Sequence, residues 1–402
     1  MTKTIKKIDR LFLKNAKIED FRTIRNIDVY FGPGLNIIIG KNGSGKTNFL
    51  HSLSRALELS DKYSPYSAHL ILEGDATFEI IYKGLKKDIN FIKQTKLNHK
   101  LSDKLNEVEL RLNNKKIKIE ESIFTTLDKK NISYSSIFIQ HGTPKNDQPL
   151  ITSPLSFSIA EDGLSNEIFH FLYEGKVNHF LKTILTRLFI ETNLTDIENR
   201  SESNLNSIIG SFNKHFINLS DILNRFSPIQ EIRFNNNYNV FKKGEQEELI
   251  VDNLFIEFKI NNTWLPFSQL SDGTKRIFYI ISEIHSIGSF YYSRGRTYSS
   301  LSQPSIILLE EPELGVHPHQ LHKLMLFIRE QAESKQIILT THAPQILDFI
   351  EEGELDKIII SRYNIETGSQ FLHLTDREKE KAALYMEDEH LSDYWKHSTL
   401  EE

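Results

Sequence analysis

Cysteine is absent from this chain of 402 residues. Disulfide scaffolds, thiolate-ligated zinc and thiol catalysis are excluded with it. Long apolar runs are also missing: none approaches the roughly 18 residues that a membrane-spanning helix needs. The start, Met1 to Arg10, is polar and lysine-rich, without the apolar stretch of a secretory leader. These absences set the expectation of a cytoplasmic protein that does not engage a membrane. A strong charge of one sign is missing too. Lys and Arg number 49 against 54 Asp and Glu, a formal net charge of -5. That excludes a uniformly basic nucleic-acid coat but leaves room for a local patch. What is present is a hydrophobic fraction of 39%, with 26 Phe and 14 Tyr, enough to bury a core. The length suits one large or two modest domains.

Patterning divides the chain. Leu11, Leu13, Ala16 and Ile18 alternate with polar neighbours, as a strand does. Gly32-Pro33-Gly34 marks a turn, and residues 35–39 form a short apolar run, interrupted only by Asn36, that ends at Gly40. Phe49, Leu50, Leu53, Ala56 and Leu57 have helical spacing. Short alternating segments at 76–82, 89–92 and 108–112 predict an antiparallel sheet within 68–140. Between Lys83 and Lys118 there are eleven Lys or Arg and four Asp or Glu, a local excess of +7 against a remainder of -12. Such a run is either a solvated sheet face or a phosphate-contacting surface. Helical spacing at 164–190 and 205–226 predicts a helical insertion, too short for a long coiled-coil arm. Strand patterns resume over 229–262. Residues 288–304 read as a Ser- and Tyr-rich loop, and 305–345 alternate strand, helix and strand.

Four motifs carry chemistry. Gly40-Lys41-Asn42-Gly43-Ser44-Gly45-Lys46-Thr47 fits G-x-x-x-x-G-K-[ST] between an apolar strand and a helix. Gly40, Asn42, Gly43 and Gly45 give a backbone that wraps phosphates, Lys46 suits the β- and γ-phosphates, and the Thr47 hydroxyl suits Mg²⁺. Ile306-Ile307-Leu308-Leu309-Glu310-Glu311 puts two carboxylates at the tip of a buried strand. Glu310 is the candidate for the Mg²⁺ shell and Glu311 for polarising the attacking water, one residue for each task. Leu270-Ser271-Asp272-Gly273-Thr274-Lys275-Arg276 opens an apolar helix with a Ser cap and a Gly, an anion-binding start. Thr340-Thr341-His342 follows another short strand, and a neutral imidazole there can bond a γ-phosphate oxygen or the water. His317, His319 and His322 suggest a zinc site, but no Cys and no clustered carboxylate completes one.

In this order the motifs resemble the ATP-binding-cassette (ABC) superfamily. In particular they resemble the AAA-type ATPases related to the RecF, structural-maintenance-of-chromosomes and overcoming-lysogenization-defect (OLD) families. Ile18-Glu19-Asp20-Phe21-Arg22, with Gly32-Pro33-Gly34-Leu35-Asn36 after it, is similar to the N-terminal strand pair of those heads. Glu310-Glu311-Pro312-Glu313 with His317-Pro318, and Thr341-His342-Ala343-Pro344, look most like the OLD-type branch. The resemblance covers roughly 10–145 and 229–365. It implies an α/β P-loop NTPase fold, an ABC-type ATPase head with a parallel core sheet flanked by helices, an antiparallel β-lobe and an inserted helical subdomain. On that pattern 1–149 and 229–375 form the head, 150–228 the insertion and 376–402 a charged tail.

The same resemblance implies ATP and Mg²⁺ as ligands. It implies a homodimer in which each ATP lies between the P-loop of one chain and the signature of the other, with Ser271 and Gly273 touching the γ-phosphate in trans. Gln140 is placed like the Q-loop glutamine that reaches Mg²⁺ and the attacking water, and Arg22 near the base or ribose. Two residues depart from the pattern: Asp272 stands for the first Gly of the commonest signature, and Glu310 for an Asp. OLD nucleases carry a Toprim domain after the switch histidine, which needs more room than the about 60 residues following His342. The expectation is an ATPase that hydrolyses slowly, as a switch, assembling as a dimer or larger ring within a bacterial anti-phage defence system, with a separate effector such as a nuclease. The alternative is a RecF-like repair ATPase that binds DNA in an ATP-dependent way through the Lys83 to Lys118 segment.

Overall fold

A computed structural model describes residues 9–58, 66–84, 106–117, 132–133, 135–140, 155–160, 163–164, 202–243, 248–285, 289–293, 296–300 and 305–397. The chain forms two compact units: Met1–Gln140, Pro304–Pro312 and Ile328–Glu402 make the first, His141–Gln303 and Glu313–Phe327 the second.

The first unit is built on a six-stranded sheet in the order Ser136–Ile139, Ile306–Glu310, Gln336–Thr341, Leu35–Ile39, Ile358–Asn364, Gly368–His373. Its first five strands run parallel, and Gly368–His373 returns antiparallel. The three central strands are buried along their whole length, as near-continuous apolar runs in a parallel sheet must be. The helix Lys46–Leu57 follows directly from the strand Leu35–Ile39. Its apolar face carries Phe49, Leu50 and Leu53, all without exposed surface.

A second, antiparallel sheet runs Ile24–Tyr30, Phe12–Phe21, Ser67–Glu73, Thr77–Gly84, Asn106–Leu112, Lys115–Ile117. Ser67–Glu73 buries every second residue, the period-two signature of a one-faced sheet. The helix and both sheets share one core, in which Phe49 and Leu53 meet Leu13, Leu70 and Ile80 from one sheet and Ile38, Leu308 and Ile338 from the other. The strand Phe12–Phe21 is irregular between Leu13 and Asn15. There the buried Gln336 amide accepts from Leu13 N (2.8 Å) and donates to Leu13 O (2.7 Å) and Gly32 O (2.9 Å). A buried amide thus satisfies backbone that the irregular ladder leaves over.

The second unit holds a three-stranded antiparallel sheet (Glu231–Phe234, Ile256–Ile260, Thr263–Pro266), a four-stranded one in the order Gly163–Leu164, Leu155–Ala160, Glu248–Leu254, Asn239–Lys243, and a hairpin. Its core is aromatic: Phe258 and Phe278 lie 4.9 Å apart, with Phe267 and Tyr279 around them. The helix Glu202–Phe226 stands where the 205–226 spacing predicts one. Its Phe216 packs edge-on against Phe234 at 5.2 Å.

Three segments differ from the sequence reading. The insertion begins with strands, not helix, at Leu155–Ala160 and Gly163–Leu164, because both find antiparallel partners. The remainder of the 164–190 helical expectation lies outside the described residues, as do 89–92. The Ser- and Tyr-rich segment expected as a loop is a hairpin, Ser289–Ser293 against Arg296–Ser300, consistent with the strand preference of Phe and Tyr. The charged end is folded as Asp376–Met386 and Leu391–His397. Thr375 and Glu378 form a capping box at its start, and Leu391 and Trp395 are buried. Among the described residues no helix is long and apolar enough to cross a membrane.

Candidate active site

The P-loop occupies the bend between the strand Leu35–Ile39 and the helix Lys46–Leu57 in the first unit. Two glycines are fixed by close approach. A Cβ on Gly40 would stand 2.1 Å from Ser361 O. Gly45 has φ +103, and a Cβ there would stand 2.1 Å from Ser369 Oγ. No other residue fits either place. Asn42 and Gly43 lie at the exposed crest, and Ser44 turns inward to accept a 2.8 Å bond from Ser361 Oγ. Lys46 is 5% exposed, and its ammonium donates to Gly40 O (2.6 Å) and Lys41 O (3.1 Å). The first turn of the helix holds no acid, so its positive dipole end stays available to an anion.

Three further strand tips bring the acids and the histidine to the same end of the sheet. Glu310 is buried and takes a 2.5 Å bond from Thr47 Oγ1, across 263 residues of sequence. Glu311 follows with φ +40, a left-handed backbone that costs a non-glycine residue on the order of 1–3 kcal/mol. Its amide donates to Thr340 O at 2.9 Å. Glu311 Oε1 lies 3.5 Å from His342 Nδ1. The turn that carries the imidazole is pinned where Thr341 Oγ1 accepts from Ala343 N at 2.9 Å. Gln140 sits exposed just past Ser136–Ile139; the register that pairs Ile139 with Leu309 puts it level with Glu310.

Thr340, in register with Glu310, has a buried hydroxyl with no hydrogen-bond partner among the described residues. Thr47, Glu310 and this hydroxyl are all hard oxygen donors. Oxygens of this kind fit Mg²⁺. Among the described residues no group of three or more His, Cys, Asp or Glu is arranged to hold a metal. His317 instead uses Nδ1 to accept from His319 N at 3.3 Å.

Arg22 has φ +53 in the tight turn after Phe12–Phe21. It reaches the first turn of the P-loop helix, donating to Asn48 Oδ1 at 3.1 Å. Asn48 in turn donates to Thr23 Oγ1 (2.8 Å), which also accepts from Ser369 Oγ (2.8 Å). Asn48, Thr23, Ser361 and Ser369 form a hydroxyl and amide bed under the P-loop. Sequence reasoning passed over them because Ser, Thr and Asn are common and their partners are far away in the chain.

Ser271 and Gly273 lie in the second unit, at the start of the helix Asp272–His285. Ser271 Oγ accepts from Thr274 N at 3.2 Å and meets Thr274 Oγ1 at 2.8 Å. Gly273 is buried, and a Cβ there would stand 2.6 Å from Gly315 O. Ser271 and Asp272 remain exposed.

The basic segment is described only in part. Lys86 to Lys104 and Lys118 lie outside the described residues. Of the rest, Arg111, Lys116 and Lys83 converge on Glu109 at 2.8, 3.1 and 3.8 Å. The hydrogen bonds from Arg111 and then Lys116 hold its carboxyl down at about 2. These three cations have a carboxylate partner already.

Comparisons with known proteins show what the chain is similar to. The family described as "AAA domain, putative AbiEii toxin, Type IV TA system" matches residues 35–348. The chain is 25% identical over 248 residues to the DNA double-strand break repair Rad50 ATPase of Methanococcus maripaludis, covering 59% of this chain and 24% of that protein. It is 22% identical over 352 residues to the Septu protein PtuA of Bacillus thuringiensis, covering 86% of this chain and 75% of PtuA. The chain thus spans about a quarter of the Rad50 length and three quarters of PtuA. An Smc head domain with an extended coiled coil, bound to the C-terminal domain of ScpA derived from Pyrococcus furiosus, aligns with a TM-score of 0.47 and 15% identity over 94% of this chain and all of that one.

Proposed function

The chain belongs to this family of AAA domains, and on that premise we propose that it is an ABC-type ATPase that works as a nucleotide-driven dimerising switch. The observation that carries the reading is the meeting of Thr47 and Glu310 at 2.5 Å, with Glu311 and His342 3.5 Å apart at the same sheet end. On this reading Lys46 exchanges its two loop carbonyls for the β- and γ-phosphates of ATP, with the loop amides around them. Thr47 and Glu310 hold the Mg²⁺, which supplies neutralisation of phosphate charge. Glu311 takes a proton from the attacking water. His342 orients that water or the γ-phosphate, and Gln140 reaches toward the same place. Ser271 and Gly273 of a second copy close the site. Hydrolysis is slow, because the catalytic set is complete only in the dimer.

Likeness to PtuA over most of the chain supports a place in a bacterial defence system of the Septu kind, as the ATPase subunit beside a separate effector such as a nuclease. Likeness to a Rad50 ATPase of DNA double-strand break repair supports a second reading, DNA repair. ATP-dependent DNA binding by the chain alone, falling steeply with salt, would favour repair; a co-purifying effector would favour defence. The core reading is tested by calorimetry with ATP and Mg²⁺ on the wild type and Lys46→Ala. The wild type should bind and turn over ATP, and the variant should lose binding. A wild type that binds no nucleotide overturns the reading.

A further inference from the structure

The strand Ile358–Asn364 runs beside the P-loop strand and returns as Gly368–His373. Its turn is braced from several sides. Arg25 donates to the carbonyls of Glu366 and Ile365, the latter at 3.1 Å. Asn364 Oδ1 accepts from Glu366 N (2.7 Å) and Thr367 N (3.3 Å). Gly368 has φ +79, and a Cβ there would stand 2.5 Å from Thr23 O. Ser369 bonds Thr23 through both backbone and hydroxyl, at 2.9 and 2.8 Å. The hairpin is therefore held rigidly against the P-loop's supports.

One face of this hairpin is the P-loop face. Ser361 and Phe371 pair across it. Ser361 bonds Ser44, and Phe371 packs 4.6 Å from Phe49 of the P-loop helix. Tyr363 comes two residues after Ser361 and stands directly opposite Ser369. Both relations put its side chain on that same face. It is level with Ser369, the residue a Cβ on Gly45 would strike. Yet Tyr363 is 52% exposed. A large ring on a braced hairpin, on the face that carries the P-loop contacts and half exposed, is a prepared surface for a flat ligand.

We propose that Tyr363 is the platform on which the base of the bound nucleotide stacks, while the P-loop holds its phosphates. The proposal rests on the reading of the P-loop as an ATP site. Stacking uses the π-face that every base has, and its loss costs roughly ten- to a hundred-fold in affinity. A tyrosine loses little side-chain freedom in making such a contact. The ligand class is therefore a nucleoside triphosphate whose base is held by its face, with purines favoured for their area.

Calorimetric titration with ATP, GTP and inorganic tripolyphosphate, each with Mg²⁺, tests this on the full chain. Tyr363→Ala should weaken ATP and GTP by about tenfold or more and leave tripolyphosphate unchanged. Tyr363→Phe should stay within about twofold of the wild type, because the ring is kept. Unchanged ATP affinity in Tyr363→Ala overturns the platform. So does an equal loss for ATP and tripolyphosphate, which would mean a disturbed loop. Lys46→Ala separates the two readings, since it should weaken both ligands. A wild type that binds neither overturns the ATP reading itself, and the platform with it.

Discussion

At the level of single residues, Glu311 stands apart from Glu310 and His342, because it combines strained backbone with a reactive side chain. Its φ of +40 is held by the bond from its amide to Thr340 O. Strain of this kind persists where the surroundings over-determine it. Here the surroundings set the carboxylate 3.5 Å from His342 instead of beside Thr47. Glu310 has the opposite circumstance: regular strand, burial and the Thr47 hydroxyl as partner. On the proposed reading Glu310 is committed to the Thr47 hydroxyl and a cation, and such a carboxylate cannot also take a proton from water, so the base would be Glu311. Glu311→Gln keeps size and hydrogen bonding but removes basicity. It should still bind ATP, and single-turnover hydrolysis should slow by about 10²–10⁴. Turnover at the wild-type rate would show the base to be another group. The Glu pair and the histidine were legible in the sequence because their chemistry demands particular residue types at the tips of apolar strands. Asn48, Thr23, Ser361 and Ser369 were not. Ser361 meets Ser44 across 317 residues and Ser369 meets Thr23 across 346, and no local spacing encodes such a contact.

Between residues and the molecule lie the elements, and one junction between them has a measurable consequence. The helix Pro318–Ala332 passes into the strand Gln336–Thr341 through Ser334 and Lys335. Gln336 must turn inward there to bond Leu13, which draws Lys335 under the surface as well. Lys335 is 4% exposed and donates to Gln331 Oε1 at 2.8 Å. Burial first, then the nearby Arg10 cation, push its ammonium down to about 8 from an ordinary 10.5. Within that window the unfolded chain holds a proton that the folded chain has released. The unfolded state binds more protons, so this group makes stability rise with pH, by at most about 1.4 kcal/mol per pH unit. Urea unfolding at pH 8, 9 and 10 should show the rise in the wild type and its absence in Lys335→Met. The variant should be at least as stable at pH 8, with the difference narrowing as pH increases. Parallel profiles would mean the ammonium is not depressed. Sequence patterning found the strand and helix on either side of this junction, since each follows its own period. It read 288–304 as a loop, where a hairpin forms, and 376–402 as a charged tail, where two helices form. In both, few apolar residues sit among many polar ones, and the pairing of Ser289–Ser293 with Arg296–Ser300, or the burial of Leu391 and Trp395, decides the outcome.

For the whole molecule the question is how the proposed catalytic residues, which belong to different units of the chain, would be brought to one nucleotide. Gly40 to Thr47, Glu310, Glu311, His342, Gln140 and Arg22 all belong to the first unit, whereas Ser271 and Gly273 belong to the second. The proposed dimer completes the site by bringing the signature of one copy to the nucleotide of the other. Ser271 is suited to a clean test because it is exposed and its bonds are local to its own helix start. Replacing it disturbs no core packing and costs only the cap, about 1 kcal/mol. Ser271→Asp keeps even the cap, since Asp is as good a capping residue, but sets a negative charge where a γ-phosphate would sit. In a Glu311→Gln background with ATP and Mg²⁺, light scattering should report a dimer. Adding either Ser271→Arg or Ser271→Asp should return the chain to monomer, with ATP still bound at each P-loop. The aspartate is the sharper arm, because steric bulk cannot explain its effect. If both double variants dimerise on ATP as Glu311→Gln does, the signature does not close the site in trans. The switch would then have to be built within one chain.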